Sequence, residues 1–373
     1  MKGKRVLITG GAGFVGSHTA DALLKAGHEV RIFDSLVSQV HQGGVNSYIP
    51  KEAEFVLGDV RNLSQLSKAL AGIDVIFHLA AAVGVGQSMY QISDYTATNN
   101  LGTANLFQAI LDTRSTPEKV IVASSMSIYG EGNYACQQCG EVAPPPRPLA
   151  QMKTKQWETV CPKCGDILVP VPTREDKPLQ CTSIYALSKK DQEEMTLLFG
   201  RTYEIPAVAL RYFNIYGPRQ SLSNPYTGVA AIFASRLLNG KAPVVFEDGK
   251  QMRDFVSVHD IVQANLLAME KSGADGKPIN IGSGSPVTVQ EVALELGRAL
   301  AVQIPFEVTG KYRAGDVRHC FSDIDSATQL LGYRPRTSLL QGMEELAGWL
   351  ELQQAEDNVD HALEQLNVHG LVA

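Results

Sequence analysis

The sequence predicts an α/β fold built on a doubly wound parallel sheet, with a smaller C-terminal domain and one insertion. Short apolar runs alternate with amphipathic helical patterns, a glycine-rich turn follows the first run, and a proline-rich stretch interrupts the alternation. The 373 residues are 44% hydrophobic and 19% charged, which is an ordinary globular composition. The net charge of −6 argues against a surface that binds nucleic acid or an anionic membrane.

The first half of the chain alternates between predicted strands and helices. The apolar runs are continuous, which is typical of parallel strands buried on both faces. Periodicity is lost over residues 144–178, so this proline-rich stretch is interpreted as part of an insertion. The predicted elements are strand 5–9, helix 17–25, strand 29–34, strand 54–57, helix 64–71, strand 75–79, helix 100–111, strand 119–123, helix 184–199 and strand 207–211.

The glycine-rich turn lies between the first strand and the first helix. Its pattern, Gly10-x-x-Gly13-x-x-Gly16, is typical in this context of a dinucleotide-binding Rossmann unit. Gly10 allows the tight turn, Gly13 lets the backbone approach a pyrophosphate, and Gly16 lets the helix pack on the strand. Phe14 and Val15 lie at the predicted start of the helix, whose N-terminus would face the phosphates.

One acidic residue ends the second predicted strand, and another follows the third. Asp34 lies 18 residues after Gly16, where a carboxylate would hold the adenosine ribose and repel a 2′-phosphate, so the sequence favours NAD over NADP. Asp59, with Val60, offers a second cofactor contact. The alternative is that Asp59 caps the helix that follows it.

Three further residues form a candidate catalytic set. Tyr185 and Lys189 share one face of a predicted helix, where the ammonium group can lower the pKa of the phenol and let it act as a general base. Ser125 ends a predicted strand and could bond the same substrate oxygen. The three residues in this order, after a dinucleotide motif, indicate an enzyme.

These residues resemble the extended short-chain dehydrogenase/reductases, within them the NAD-dependent nucleotide-sugar epimerase/dehydratase family. The resemblance covers roughly residues 4–340. Additional motifs carry it: His78-Leu79-Ala80-Ala81, Asn99-Asn100-Leu101-Gly102-Thr103, the segment 211–219, Arg253-Asp254-Phe255-Val256 and Arg313-Ala314-Gly315-Asp316.

The resemblance implies a division of labour among these residues. The expected NAD contacts beyond the glycine turn and the acidic residues are Leu79, Ala80, Ala81, Asn99, Tyr185 and Lys189. The expected contacts to a nucleotide-sugar substrate are Ser125, Asn214, Arg253, Arg313 and Asp316. Each arginine taken alone could equally form a surface ion pair.

The resemblance also suggests domain boundaries. Residues 1–211 are expected to form the NAD-binding domain, interrupted by an insertion over 134–170. Residues 212–350 would mainly bind the nucleotide sugar, with some segments returning to the first domain. Residues 351–373 are predicted to form a C-terminal tail, a short helix followed by a loose end.

The residues after Ser125 distinguish between reactions within the family. In 4,6-dehydratases an Asp-Glu pair follows this position, and the related decarboxylases carry a glutamate in the same segment. Here Met126 and Ser127 occupy it, and neither transfers a proton usefully at neutral pH. The remaining set suffices for 4-epimerisation through a transient 4-keto sugar, with NAD regenerated in each turnover.

Two other functions stay open at this point. The first is a reductase or dehydratase acting on a nucleotide sugar. The second is a non-enzymatic NAD-dependent binding protein, against which the intact catalytic set argues. The substrate classes considered are dTDP-sugars and UDP-sugars: dTDP-L-rhamnose, UDP-glucose, UDP-galactose and UDP-glucuronate.

Four cysteines form two Cys-x-x-Cys pairs, with 21 residues between the pairs. Such a pattern predicts a structural zinc site of the zinc-ribbon type with four thiolate ligands. A redox pair and free thiols are the alternatives. The ribbon could cap the sugar pocket, widen a dimer interface or stiffen a long loop. The four predicted ligands are Cys136, Cys139, Cys161 and Cys164.

Three expectations concern the surroundings of the protein. The first residues lack a secretory signal pattern, and the longest apolar stretch is too short for a membrane span, so a cytoplasmic protein with no membrane partner is expected. No nucleic-acid partner is expected. The resemblance implies a homodimer that pairs through the helices containing Asn100 and Tyr185.

Overall fold

The computed structural model describes residues 3–41, 47–313 and 315–373. Ala314, part of the 313–316 motif, lies outside the described residues. In chain order the strands are β1 (Arg5–Thr9), β2 (Glu29–Asp34), β3 (Glu54–Leu57), β4 (Val75–His78), β5 (Lys119–Ser125), β6 (Asn133–Cys136), β7 (Gly140–Val142), β8 (Val169–Val171), β9 (Ala207–Tyr212), β10 (Asn214–Tyr216), β11 (Val244–Val245), β12 (Met252–Ser257), β13 (Pro278–Ile281), β14 (Pro286–Thr288), β15 (Glu307–Val308) and β16 (His319–Cys320).

The helices lie on both sides of the main sheet and around the C-terminal domain. Among the described residues, none combines the length and apolarity needed to cross a membrane. They are α1 (Phe14–Lys25), α2 (Ser38–His41), α3 (Leu63–Ala69), α4 (Val85–Ser88), α5 (Ile92–Tyr95), α6 (Gly102–Asp112), α7 (Leu149–Lys153), α8 (Ile184–Tyr203), α9 (Val229–Leu238), α10 (Val258–Glu270), α11 (Val289–Ala299), α12 (Asp325–Leu331), α13 (Leu339–Leu350) and α14 (Val359–Val368).

Seven parallel strands form the main sheet, in the order β13-β9-β5-β4-β1-β2-β3. The predicted doubly wound parallel sheet is confirmed. The strand order reverses between β1 and β4, and in such sheets ligands bind in the crevice at the carboxyl ends of these strands. This crevice is where the glycine turn leaves β1.

The composition of β1 explains why both faces of the sheet are covered. Its residues Val6, Leu7 and Ile8 are fully buried. Val6 and Ile8 belong to one apolar cluster, whereas Leu7 belongs to the cluster on the opposite face. Alternate side chains therefore enter two cores, which is why a central parallel strand is a continuous apolar run.

The C-terminal domain has its own apolar core and smaller sheets. Strand β12 pairs in parallel with β10 and β16 and antiparallel with β14, while β11 pairs with β15. Helices α9, α11 and α13 supply most of the buried core.

The insertion folds as a three-stranded antiparallel sheet in the order β7-β6-β8. Its small core combines cysteines with apolar side chains, because the chain is too short to bury many larger residues. The buried members of this core are Tyr134, Cys136, Val142, Cys161 and Leu168.

Several local predictions differ from the structure. Helix α1 begins at Phe14 rather than at residue 17, and strand β13 was not predicted. The helix predicted over 100–111 begins earlier, because a π-helical turn over Thr96–Leu101 precedes α6. The prediction of a loose C-terminal end is wrong. The amide of Ala373 donates to the carbonyl of Tyr312 at 3.0 Å, and the amide of Tyr312 donates to the carbonyl of Ala373 at 2.9 Å. Pairing with a distant segment holds these last residues, which a local pattern does not reveal.

Candidate active site at the carboxyl edge of the sheet

The glycine turn is packed against the loop after β4. Gly10 has a φ of +70°, and a Cβ built there would lie 2.7 Å from the amide nitrogen of Ala80. Its own amide donates to the carbonyl of Phe33 at 2.8 Å. A side chain at this position would therefore be excluded by backbone conformation and by space together.

The N-terminus of α1 points out of this turn without a side-chain cap. Gly13 is the N-cap residue, and its lack of a side chain leaves the first-turn amides of Phe14, Val15 and Gly16 without that partner. The unsatisfied amides and the helix dipole suit a pyrophosphate. The residues present thus fit a dinucleotide.

Asp34 stands at the end of β2 and faces the glycine turn. Its carboxylate accepts the amides of Ala12, at 3.0 Å, and Leu36, at 2.9 Å, and the ring of His41 lies 3.6 Å away. The carboxylate is therefore fixed in orientation, with lone pairs left for a ribose hydroxyl.

Asp34→Asn should reduce discrimination against NADP at least tenfold. The amide removes the negative charge that repels a 2′-phosphate but keeps an oxygen that can accept the Ala12 and Leu36 amides. The ratio of the NAD and NADP dissociation constants, measured by fluorescence titration, checks this. Asp59→Asn is the matched comparison and should leave the ratio unchanged; an unchanged ratio in Asp34→Asn would contradict the assignment.

Asp59 and Val60 lie beside this crevice after β3. The carboxylate of Asp59 is held by Arg61, with N–O distances of 2.6–3.0 Å, and this contact lowers the pKa of Asp59 even though burial alone would raise it. The alternative of a helix cap is wrong, because the side chain of Asn62 caps α3. Val60 is buried against Gly102.

The loop after β4 contains the other predicted NAD contacts. The amide of Leu79 donates to the carbonyl of Thr9 at 3.0 Å, and that of Ala80 donates to its hydroxyl at 3.3 Å. Asn99 is fully buried behind the loop, where its side chain bonds both backbone groups of Ala82 and the hydroxyl of Ser188. Asn99 thus positions the loop, and Ala81 lies in the positioned segment.

His78 precedes this loop and is fully buried between two threonines. Its ring nitrogens lie 2.8 Å from the Thr9 hydroxyl and 2.9 Å from the Thr103 hydroxyl. Burial, together with the charge of Lys189, lowers the pKa of His78 from 6.5 to about 3. The ring is therefore neutral in the folded protein.

Acid should destabilise the fold through His78. Between pH 6.5 and 3 the unfolded chain binds a proton that the folded chain does not, so the free energy of unfolding falls as the pH drops through this window. One such proton contributes a slope of about 1.4 kcal/mol per pH unit. Denaturant unfolding of wild type and His78→Gln at several pH values should show a shallower slope in the variant; identical slopes would contradict the prediction.

The predicted catalytic residues meet where β5 and the first turn of α8 converge. Ser183 caps α8 by accepting the amide of Ala186 at 3.0 Å, which fixes the turn that carries Tyr185. The Ser125 hydroxyl accepts the amide and the hydroxyl of Ser127, at 3.2 and 2.9 Å, and lies close enough to Tyr185 to lower the pKa of the phenol. Lys189 follows one turn later and donates to the carbonyl of Ala123 at 2.9 Å.

The pKa shifts in this set differ from the expectation. Burial raises the pKa of Tyr185, and the Ser125 hydrogen bond offsets this only in part. Burial lowers the pKa of Lys189 to about 7. The net shift of the phenol pKa is upward, so the predicted lowering of this pKa is not observed in the protein alone.

Apart from Ser125, which lies in the catalytic set, the predicted substrate residues fall into one group and one separate position. Arg313 donates to the carboxylate of Asp316 at 2.9 Å, and Arg253 lies 3.8 Å from the same carboxylate. Arg253 also donates to the carbonyls of Val317 and Arg318, and these bonds fix the loop that contains Asp316. The two arginines therefore share one acidic partner.

Asn214 starts β10, close to the end of β9. Its side-chain oxygen Oδ1 is buried and has no hydrogen-bond partner among the described residues. An unsatisfied buried oxygen is costly and often marks a ligand contact. The position fits a donor group of a bound substrate.

The four cysteines of the insertion come together. Their sulfur atoms all lie within 4.8 Å of one another, and those of Cys136 and Cys164 are 3.5 Å apart. Tetrahedral zinc with thiolate ligands needs sulfurs about 3.8 Å apart, whereas a disulfide needs about 2 Å.

Sequence reasoning missed residues that support the catalytic set. The hydroxyl of Ser88 accepts the amide of Tyr185 at 3.0 Å. Behind β5, Glu193 pairs with Arg211 in a buried ion pair and accepts the hydroxyl of Ser124 at 2.6 Å. The Ser88 contact joins segments 97 residues apart and has no local sequence signal.

The fold and the site define a dinucleotide-binding α/β protein with a serine, tyrosine and lysine set beside the cofactor crevice. A model of the NAD dependent epimerase/dehydratase family matches residues 6–155 and 158–282. The chain belongs to this family.

Individual relatives agree with the family assignment. The chain is 32% identical over 357 residues to a dTDP-L-rhamnose 4-epimerase of Burkholderia thailandensis, covering 94% of this chain and 96% of the relative. It is similar to the structure of a UDP-N-acetylglucosamine 4-epimerase from Methanobrevibacter ruminantium, with a TM-score of 0.76, 30% identity, and coverage of 95% and 100%. A UDP-glucose 4-epimerase complex with NAD from Thermus thermophilus gives a TM-score of 0.74, 27% identity, and coverage of 94% and 100%.

Proposed function

We propose that this protein is an NAD-dependent 4-epimerase of a nucleotide-diphosphate hexose. One observation carries the proposal: Ser125 at the end of β5 and Tyr185 in the first turn of α8 meet beside the cofactor crevice, with no acidic side chain at positions 126 and 127. The first relative named above is an epimerase of a dTDP-sugar, and UDP-sugar epimerases share the fold. Both nucleotide classes are therefore candidates.

The catalytic residues would work through proton transfer at the C4 hydroxyl. Tyr185 accepts this proton as general base while Ser125 bonds the same oxygen, so that charge developing on the oxygen is stabilised. Reversal on the other face of the 4-keto sugar needs the same phenol to return the proton. Lys189, fixed by the carbonyl of Ala123, holds a positive charge within the site below its pKa of about 7.

NAD, when bound, supplies the hydride acceptor and then the hydride donor. The glycine turn and the uncapped N-terminus of α1 would hold its pyrophosphate, and Asp34 its ribose. The loop of Leu79, Ala80 and Ala81, positioned by Thr9 and Asn99, would lie against the cofactor. Because the cofactor returns to its starting state, the chain should retain it through purification.

The substrate diphosphate is assigned to the loop that contains Arg313 and Asp316. Arg313 also lies over the ring of Phe246, with 4.9 Å between its guanidinium carbon and the ring centroid. Asp316 orients Arg313. Asn214, with its unsatisfied oxygen, is assigned to the substrate. Arg253 is assigned there too, mainly through its hold on the loop.

Proton NMR of purified protein without added cofactor tests this proposal. The protein is incubated separately with dTDP-L-rhamnose, UDP-glucose, UDP-galactose, UDP-glucuronate and UDP-N-acetylglucosamine. A new anomeric signal with unchanged mass in one tube is the expected result. Silence in all tubes, followed by consumption of added NADH or a product of shifted mass, would instead support the reductase or dehydratase and would mean that Met126 and Ser127 were misinterpreted.

We also propose that the four cysteines bind a structural zinc ion. The compact set of four sulfurs supports this, and the two buried members, Cys136 and Cys161, belong to the core of the insertion. A structural role uses all four ligands and leaves no open position for chemistry.

A homodimer is proposed through α6 and α8. Large apolar side chains of the two helix regions are exposed, including Leu101 at 49% and Leu187 at 46%. Exposed apolar side chains on adjoining helices suit a four-helix interface. The cytoplasmic location stays a prediction from the sequence.

A further inference from the structure

The insertion is joined to the predicted diphosphate site by buried charges as well as by its backbone. Two segments of the C-terminal domain flank that site, 246–248 and 315–318, and we call them the diphosphate segments. The insertion contributes Arg147 and Glu158 to their contacts. Neither residue belongs to the apolar core that holds the insertion together.

Arg147 bridges the two diphosphate segments with one side chain. Its guanidinium donates to both carboxylate oxygens of Glu247, at 2.7 and 3.0 Å, and to the backbone carbonyl of Asp316 at 3.1 Å. Its Nε lies 3.4 Å from Glu131. Only 1% of the side chain is exposed. A planar fork with several fixed donors is required for this arrangement, and lysine cannot reproduce it.

Arg318 makes the complementary contact from the other side. Its side chain is fully buried and bonds Glu247 at 3.0 Å, Asp248 at 2.6 Å and Glu158 of the insertion. Glu247 therefore lies between two arginines, one from each side of the interface. Its backbone has a φ of +53°, an uncommon conformation for a residue with a side chain, and such positions persist only where surrounding contacts fix them.

Arg147 is connected through Asp316 to Arg313, the residue assigned to the substrate diphosphate. Asp316, whose carbonyl Arg147 holds, orients Arg313 with its carboxylate. Phe246 precedes Glu247 and lies under the same Arg313. The separation between the two diphosphate segments, and hence the position of Arg313, is therefore held by Arg147 of the insertion together with Arg318.

We propose that Arg147 is a positioning residue for nucleotide-sugar binding, through which the insertion fixes the diphosphate segments. The proposal rests on the proposed function and assigns the insertion a part in substrate affinity. It predicts an effect on affinity for the nucleoside diphosphate rather than on the chemical step, because Arg147 contacts neither Ser125 nor Tyr185 in the hydrogen bonds described above.

Calorimetric titration with dTDP and with UDP tests the proposal on Arg147→Met, Arg147→Lys and the wild type. The dissociation constant of the diphosphate that wild type binds should rise at least tenfold in Arg147→Met, with KM rising in parallel, kcat within threefold, and zinc and NAD per chain unchanged. Arg147→Lys should be affected less. Arg174→Met, which removes an exposed arginine paired with an exposed aspartate, is the control and should match wild type.

Affinity within twofold of wild type in a cooperatively unfolding Arg147→Met would overturn the proposal, as would a fall in kcat with unchanged KM. If Arg147→Met shows no cooperative unfolding, Arg147→Lys decides: binding at least threefold weaker supports the proposal, and equal binding overturns it. Wild type that binds neither dTDP, UDP nor any of their sugars would instead overturn the proposed function, and this proposal with it.

Discussion

Tyr185→Phe should lower kcat by about 10²–10⁴-fold while NAD stays bound, since this is the usual contribution of a positioned general base. The phenol is buried at the start of α8 beside Ser125, so its loss removes the proton acceptor without opening a large cavity. Turnover is followed by NMR on the substrate identified for wild type. NAD content is measured on the same sample after denaturation.

Tyr203→Phe is the control for this prediction. It makes the same chemical change on the same helix, at a residue that is 48% exposed, and should leave kcat unchanged. Near-normal activity in Tyr185→Phe would remove Tyr185 from the mechanism. Loss of NAD in that variant would instead indicate that the phenol is needed to hold the cofactor.

The sequence predicted six of the seven strands of the main sheet, and β13 was not predicted. The central strands β9, β5, β4 and β1 are buried on both faces, which makes them continuous apolar runs. Strand 29–34 and strand 54–57 are observed with the predicted bounds. The π-helical turn over Thr96–Leu101 was not predicted. Its amino acids follow an ordinary helical pattern, and the added residue per turn serves a tertiary contact, the placement of Asn99 behind the loop after β4.

The site residues also fall into two kinds: those that the local sequence predicts and those that depend on contacts between distant segments. Gly10 and Asp34 were predicted because a tight turn and a strand end impose their residue types locally. The contacts of Arg253 with the carbonyls of Val317 and Arg318 join segments 64 and 65 residues apart. The bridge from Arg147 to Glu247 spans 100 residues. No pattern within one element predicts such pairs.

The ionisation of the catalytic set shows a further limit of sequence reasoning. Spacing places Tyr185 and Lys189 on one helix face, but the pKa values depend on burial and on hydrogen bonds from elsewhere. Lys189 donates to β5, and its own pKa falls to about 7 because it is buried. Ser125 is the group that lowers the phenol pKa. A charged ligand in the crevice would act on the same two groups.

Cys161→Ser should remove zinc and destabilise the insertion. Cys161 is 2% exposed and packs in the small core with Tyr134 and Leu168, so the change affects both the metal and the packing around it. Structural zinc contributes folding free energy directly, about 10–16 kcal/mol of apparent binding energy in isolated zinc fingers. Wild type should contain one zinc per chain by atomic emission, the variant close to none, with a thermal midpoint lowered by about 5 °C or more.

Cys181→Ser is the matched control, because Cys181 lies outside the sulfur cluster, and its zinc content should equal that of wild type. A zinc ratio unchanged in Cys161→Ser would contradict the metal site. The effect should also extend beyond the insertion. Arg147 and Glu158 both lie between the two cysteine pairs, so loss of zinc should release their contacts to the diphosphate segments and weaken dTDP or UDP binding. Unchanged dTDP or UDP binding in the zinc-free variant would show that the zinc ion does not affect the substrate site.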